Sequence, residues 1–263
     1  MTIIQSLIIL GSVGILAGLL LVLAYNKLRV KEDPKVEKMM DVLPGGNCGA
    51  CGYASCHEFA IAVSKGDTSI DECRVGGAKV SKNLARIMGK EHQEEESEKK
   101  AVIRCGVQQR KYNAAYRGTK TCSSAQLLGG GMACKYGCFG YGDCAEACPF
   151  DAIISDGQNV PEIDLNKCTG CGICVKECPR DIIVLKELLN DRVVYVGCSN
   201  KDLGKDTRKA CDAGCISCAI CVKKGPQGSF YIEDNLSSVI KQNNDISIEE
   251  IKCPTGCIYE NRK

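Results

Sequence analysis

CKYGCFGYGDCAEACPFDAIISDGQNVPEIDLNKCTGCGICVKECP, residues 134–179, is the stretch from which the rest of the chain can be read. Its second half sets Cys168, Cys171, Cys174 and Cys178 in the spacing C-x2-C-x2-C-x3-C-P, the run that delivers thiolates to 4Fe-4S clusters. The first half closes in the same way, Cys148-Pro149 against Cys178-Pro179, and similar segments follow, FDAII and RDIIV, so the stretch is an internal duplication. A cubane needs four thiolates around one small volume. Three come from a tight turn, where Gly170 and Gly172 let the backbone wrap closely, and the fourth comes from the other run. This rule groups Cys168, Cys171 and Cys174 with Cys148. It gives Cys178 to the first site, where Tyr141 occupies the middle ligand position and the run is Cys134-x3-Cys138-x5-Cys144. Cys134 is the expected substitute, making that site Cys134, Cys138, Cys144 and Cys178. Paired C-x2-C turns also hold zinc, but three-cysteine turns with Cys-Pro ends favour iron-sulfur.

The chain has 263 residues and 21 cysteines. The odd count and the clustered spacings favour reduced thiolates over disulfides. With no Trp and four Phe the apolar core is modest, so clusters should act as staples of the fold. A net charge of +2 gives no reason to expect a nucleic-acid partner.

Residues 1–26 read as a transmembrane anchor, since Ile3 to Ala24 is apolar, uncharged and long enough to cross a bilayer. Lys27, Arg29, Lys31, Lys35 and Lys38 follow at once, and the positive-inside rule then puts the amino terminus outside and the remainder in the cytoplasm. Residues 34–89 form a second unit. Val36, Met39, Met40 and Leu43 share a helical face, and Cys48, Cys51, Cys56 and Cys73 supply four ligands for one site, with a helix predicted from Ser55 or Cys56 to Lys65. Residues 90–100, rich in Glu and Lys, read as a charged linker.

Residues 101–263 read as a multi-cluster domain with its core at 134–185 and a degraded repeat at 193–263. Ala101–Arg104 and Val193–Val196 are predicted strands leading to Cys105 and Cys198. CDAGCISCAICVKKGP, residues 211–226, aligns with residues 134–149 without a gap, placing Cys211 on Cys134, Cys215 on Cys138 and Gly225 on Cys148. Cys215, Cys218 and Cys221 then lack an exchanged ligand, which Cys253 of Cys253-Pro254 is expected to supply. Five cysteines remain: Cys105, Cys122, Cys198, Cys211 and Cys257. The first four of these are expected to converge on a further cubane, for about five clusters in all. Ala101 to Cys134 also holds Arg104, Arg110, Lys111, Arg117 and Lys120 without an acidic residue, a candidate docking face for an acidic protein.

The amino-terminal span, LPGGNCGACGYASC with Cys73, the charged linker and the cysteine turns together resemble, over essentially the whole chain, the B subunit of the Rnf complex in its longer form from anaerobic bacteria. The resemblance implies an α+β fold: a transmembrane helix, a small helical 4Fe-4S module and ferredoxin-like α+β units with several iron-sulfur clusters. It implies an electron-transfer subunit of an ion-translocating ferredoxin:NAD oxidoreductase in the bacterial cell membrane, with reduced ferredoxin and other membrane subunits as partners. No dinucleotide fingerprint is present, so no complete catalytic site is expected on this chain alone. The alternatives are an iron-sulfur subunit of another anaerobic membrane enzyme, of hydrogenase or carbon monoxide dehydrogenase type, and a zinc-stabilised scaffold.

Overall fold

The first helix, α1 (Ile3–Leu28), has 26 residues and so extends about 39 Å at 1.5 Å per residue, more than the roughly 30 Å of a bilayer's hydrocarbon core. Leu10, Val13, Ile15, Leu19 and Leu21 are all exposed, and by length and composition α1 can cross a membrane. The computed structural model describes residues 3–28, 33–90, 98–107 and 109–262; Arg29 and Lys31 of the basic flank, and residues 91–97 of the expected linker, lie outside the described residues.

Three helices build the next unit. α2 (Pro34–Val42) starts where the Asp33 carboxylate accepts the Lys35 amide at 2.9 Å and Pro34 occupies a first-turn position that needs no N–H. α3 (Cys56–Lys65) is capped by Ser55, whose Oγ accepts the Glu58 amide at 3.1 Å, and ends at Gly66 in the left-handed region. α4 (Gly77–Met88) closes the bundle. Val36, Met39 and Leu43 from α2 meet Phe59 and Val63 from α3 and Val80, Leu84 and Ala85 from α4 in one buried cluster that includes Cys73.

Beyond residue 98 the chain makes two lobes on one plan. In the first, β1 (Lys99–Ile103) pairs antiparallel with β4 (Ile183–Glu187), Lys99 opposite Glu187 and Ile103 opposite Ile183. β1 therefore takes up the last two residues of the stretch expected as linker. Between them lie α5 (Cys122–Leu127), α6 (Asp143–Glu146), the hairpin β2 (Ile153–Ile154) with β3 (Glu162–Ile163), and α7 (Ile173–Glu177). In the second lobe β5 (Arg192–Val196) pairs with β8 (Ile258–Arg262), enclosing α8 (Gly204–Ala210), α9 (Ile220–Lys224), the hairpin β6 (Phe230–Glu233) with β7 (Leu236–Val239), and α10 (Ile248–Ile251).

The lobes meet along a seam. Val102, Leu165 and Val193 form a buried cluster there, the Gly106 amide donates to the Gly197 carbonyl at 2.9 Å, and the Tyr259 hydroxyl donates to the Gly106 carbonyl at 2.8 Å. Gly106 is required at this crossing, because a Cβ would lie 2.0 Å from the Tyr259 hydroxyl.

The repeat fails at one place for a visible reason. Gly225, the counterpart of Cys148, has no room for a side chain: a Cβ would lie 2.6 Å from the Cys221 carbonyl oxygen and 2.8 Å from the Phe230 ring. Phe230, Leu236, Val239, Ile246 and Ile251 fill this side of the second lobe with apolar core. Packing of these side chains holds this side of the second lobe together.

Candidate metal centres

Cys48, Cys51, Cys56 and Cys73 line one hollow below the α2–α3 loop, with Tyr53 and Phe59 as apolar wall. Asn47 fixes the loop by accepting the Cys56 amide on Oδ1 at 2.8 Å, from a backbone φ of 43°. Burial pushes the Cys73 thiol up against the pull of the Gly76 amide, and the nearby Cys51, Cys56 and Cys48 add to the rise.

In the first lobe, burial pushes the Cys174 thiol up to about 12, and Cys168, Cys171 and Cys148 around it add to the shift. The turn lies flat on β1. The Ala101 amide donates to Cys168 Sγ at 3.5 Å, the Lys100 ammonium donates to the Cys168 carbonyl, and a Cβ on Gly170 would lie 2.1 Å from the Lys99 carbonyl oxygen. Cys171, raised chiefly by burial, also feels charge on Cys48 of the helical unit, so these two sites adjoin.

The next hollow is lined by Cys122, Cys138, Cys144 and Cys178, with Ile103, Phe139, Ile182 and Ile183. Cys134, expected here in place of the ligand position that Tyr141 occupies, is not among its lining residues; Cys122 is. The cause is tertiary. Asp143, inside the cysteine turn, accepts the Cys122 amide at 2.8 Å and the Ser123 amide at 3.2 Å, while Thr121 caps α5 by accepting the Ser124 amide. Burial pushes the Asp143 carboxyl up, but the Cys122 and Ser123 donors outweigh it and hold the group below its usual range. Cys122 thus sits beside the backbone of Tyr141, where the second run has Cys171, and its sulfur receives that residue's amide. The Tyr141 ring turns away onto Phe139, with centroids 6.3 Å apart. Burial holds both Cys138 and Cys144 at about 12.

The second lobe's hollow is lined by Cys215, Cys218, Cys221, Cys253 and also Cys257. The Sγ atoms of Cys253 and Cys257 are 3.6 Å apart. Contact with Cys257 lowers the Cys215 and Cys253 thiols, and contact with those two together with burial raises the Cys257 thiol. Cys257 is buried and Cys218 exposed. The other expected grouping changes in step with the first, since Cys105, Cys198 and Cys211 share a hollow with Cys134 rather than Cys122.

All 21 cysteines are free thiols. Among the described residues no three of His, Cys, Asp and Glu are grouped so as to hold a single metal ion. A tetrahedral zinc would draw thiolates to about 2.3 Å from one centre. Thiols ringing a hollow suit a group with several iron atoms, and each would release its proton on binding iron.

Much of the basic segment is structural. Arg110 donates from Nε to the Cys138 carbonyl at 2.8 Å and also reaches the Gln158 carbonyl; Lys111 pairs with Asp212 at 2.6 Å; Arg104 is held below its usual basicity by burial. Arg117 and Lys120 stay exposed.

A duplicated lobe with exchanged Cys-Pro cysteines, preceded by a four-cysteine helical unit and a helix fit for a membrane, defines an iron-sulfur electron-transfer protein of ferredoxin type. Two family models match, "Putative Fe-S cluster" over residues 43–75 and "4Fe-4S binding domain" over residues 161–184. The chain is 38% identical over 253 residues to the B subunit of the Na(+)-translocating ferredoxin:NAD(+) oxidoreductase complex of Acetobacterium woodii, covering 95% of this chain and 75% of the relative. It is 38% identical over 266 residues to the B subunit of the proton-translocating ferredoxin:NAD(+) oxidoreductase complex of Clostridium ljungdahlii, covering 98% and 92%. It is 34% identical over 239 residues to the B subunit of the ion-translocating oxidoreductase complex of Methanosarcina acetivorans, covering 90% and 89%. The chain belongs to the B-subunit family of the ion-translocating ferredoxin:NAD(+) oxidoreductase (Rnf) complexes. Two relatives of equal identity are named for different ions, so likeness along this chain does not select the ion.

Proposed function

We propose that this chain is the electron-input subunit of such a complex, taking electrons from reduced ferredoxin and relaying them to partner subunits in the membrane. The 4Fe-4S clusters supply one-electron redox chemistry when bound. Four ligand sets are assigned: Cys48, Cys51, Cys56 and Cys73; Cys148, Cys168, Cys171 and Cys174; Cys122, Cys138, Cys144 and Cys178; and Cys215, Cys218, Cys221 and Cys253. With a fifth set at the seam the total is about five clusters. The observation that carries this reading is the exchange of Cys148 and Cys178, each beside the other run's turn cysteines. Amide donors to sulfur, such as Ala101 to Cys168, stabilise thiolate charge, and Ile103, Phe139 and Ile182 keep water from the Cys138 site.

Helix α1 anchors the chain with its amino terminus outside and the cysteine sites on the cytoplasmic side, following the Lys27 to Lys38 basic flank. Arg117 and Lys120 are the exposed cations of the basic segment left to attract an acidic ferredoxin. The test is metal and sulfide analysis of the anaerobically purified full chain. Iron and sulfide in equal amounts, at about sixteen or more of each, support the reading. A colourless protein with zinc overturns it.

A further inference from the structure

We propose that Cys105, Cys134, Cys198 and Cys211 hold a further 4Fe-4S cluster at the seam, stapling the two lobes together; this rests on the iron-sulfur reading of the other sites. The two matched family ranges, 43–75 and 161–184, contain none of these four residues.

Each lobe contributes the same pair of positions. Cys105 and Cys198 stand two residues beyond the last residues of β1 and β5, Ile103 and Val196. Cys134 and Cys211 each stand four residues before the first turn cysteine of their lobe, Cys138 and Cys215. The strand ends are held together by the Gly106-to-Gly197 hydrogen bond and by the Ser199 hydroxyl, which donates to the Arg104 carbonyl at 3.0 Å. The duplication therefore brings two like pairs to one point. The four cysteines line one hollow, as the cysteines of three other sites do.

Burial works against negative charge on Cys134, Cys198 and Cys211, and polar groups placed around them offset part of that cost. Asn200, 1% exposed, donates its amide to Cys198 Sγ at 3.4 Å and points Nδ2 at Cys134 Sγ at 3.8 Å. Arg180, in the wall of the Cys138 hollow, stacks on Phe139 at 4.0 Å and donates from Nη1 to the Lys135 carbonyl and, at 3.5 Å, to the Cys134 carbonyl, which fixes the backbone that carries Cys134.

The site also adjoins both neighbours. The Cys138 amide donates to Cys105 Sγ at 3.4 Å, and the Cys215 amide donates toward Cys198. A cluster here is the link between the first lobe's sites and the second lobe's site. Held by Cys105, Cys134, Cys198 and Cys211, it would supply one-electron transfer between those sites, with no bond made or broken.

The test is iron per chain in the anaerobically purified full-length protein. Wild type should hold about twenty irons, and Cys134→Ser and Cys198→Ser about sixteen each, since a cubane has four. The double variant Cys134→Ser/Cys198→Ser should also hold about sixteen, because both residues serve one cluster, whereas Cys134→Ser/Cys122→Ser should hold about twelve. Retention of about sixteen irons shows that a variant has folded. As a staple, the site should also protect the lobe junction near residues 188–192, so Cys198→Ser should be cleaved there faster than wild type. Wild type with sixteen irons, Cys134→Ser with no loss, or a double variant losing eight would overturn the proposal while leaving the electron-transfer reading intact. Wild type without iron would instead overturn that reading.

Discussion

Replacing Gly225 by alanine should destabilise the second lobe without changing the iron content. The added methyl would lie 2.6 Å from the Cys221 carbonyl oxygen and 2.8 to 2.9 Å from two Phe230 ring atoms. The carbonyl cannot retreat freely, because it accepts the Gly225 amide at 2.9 Å and closes the end of α9. The ring is 4% exposed and wedged in the core. Overpacking of this kind costs about 1–3 kcal/mol. At about 2–4 °C per kcal/mol for a domain of this size, the midpoint should fall by roughly 2–12 °C. The assay is anaerobic thermal unfolding of the full chain, followed by loss of visible cluster absorbance, with iron measured before heating. Gly225→Cys should behave like Gly225→Ala, because the offending atom is Cβ in both. A Gly225→Cys chain that gained four irons, or a Gly225→Ala chain as stable as wild type, would refute the packed-core account of this position.

Three further outcomes follow from the site geometry. Cys257→Ala should keep wild-type iron while Cys253→Ser loses about four, as read by iron analysis; the reverse pattern would make Cys257 the ligand. Asp143→Ala removes the two backbone hydrogen bonds and the Ser123 hydroxyl bond that the carboxylate accepts at the start of α5, each charge-assisted bond worth about 1.5–3 kcal/mol, and should loosen Cys122, so air-exposed protein should lose about four irons faster than wild type. Charge reversal at Arg117 and Lys120 should slow reduction by ferredoxin at low salt, and this difference should vanish in high salt; Arg110→Ala should lower stability and leave the salt dependence unchanged.

The residues legible in the sequence are those whose partners are local. Cys168, Cys171 and Cys174 lie within one turn, and Ser55 with Gly66 brackets α3 by capping chemistry readable from residue types. Which of Cys122 and Cys134 adjoins Cys138 is not local information. Spacing favours Cys134, four residues away, but the choice depends on the Asp143 carboxylate reaching α5 across the fold. A signal was present in Thr121-Cys122-Ser123-Ser124, a helix cap that fixes a cysteine at a first-turn position. The basic segment misled for a related reason: composition counts Arg110 as surface charge, although its guanidinium is spent on the Cys138 carbonyl. Gly225 was visible as a lost ligand, but that Phe230 crowds its place follows only from the fold of β6.

The central claim is that this chain carries electrons from ferredoxin on clusters held by its own cysteines. The most direct measurement is electron paramagnetic resonance of the anaerobic full-length chain mixed with limiting reduced ferredoxin. Ferredoxin's signal should be replaced by signals of reduced 4Fe-4S clusters on this chain, magnetically coupled because neighbouring sites adjoin. An unchanged ferredoxin signal, with this chain fully loaded with iron, would contradict it.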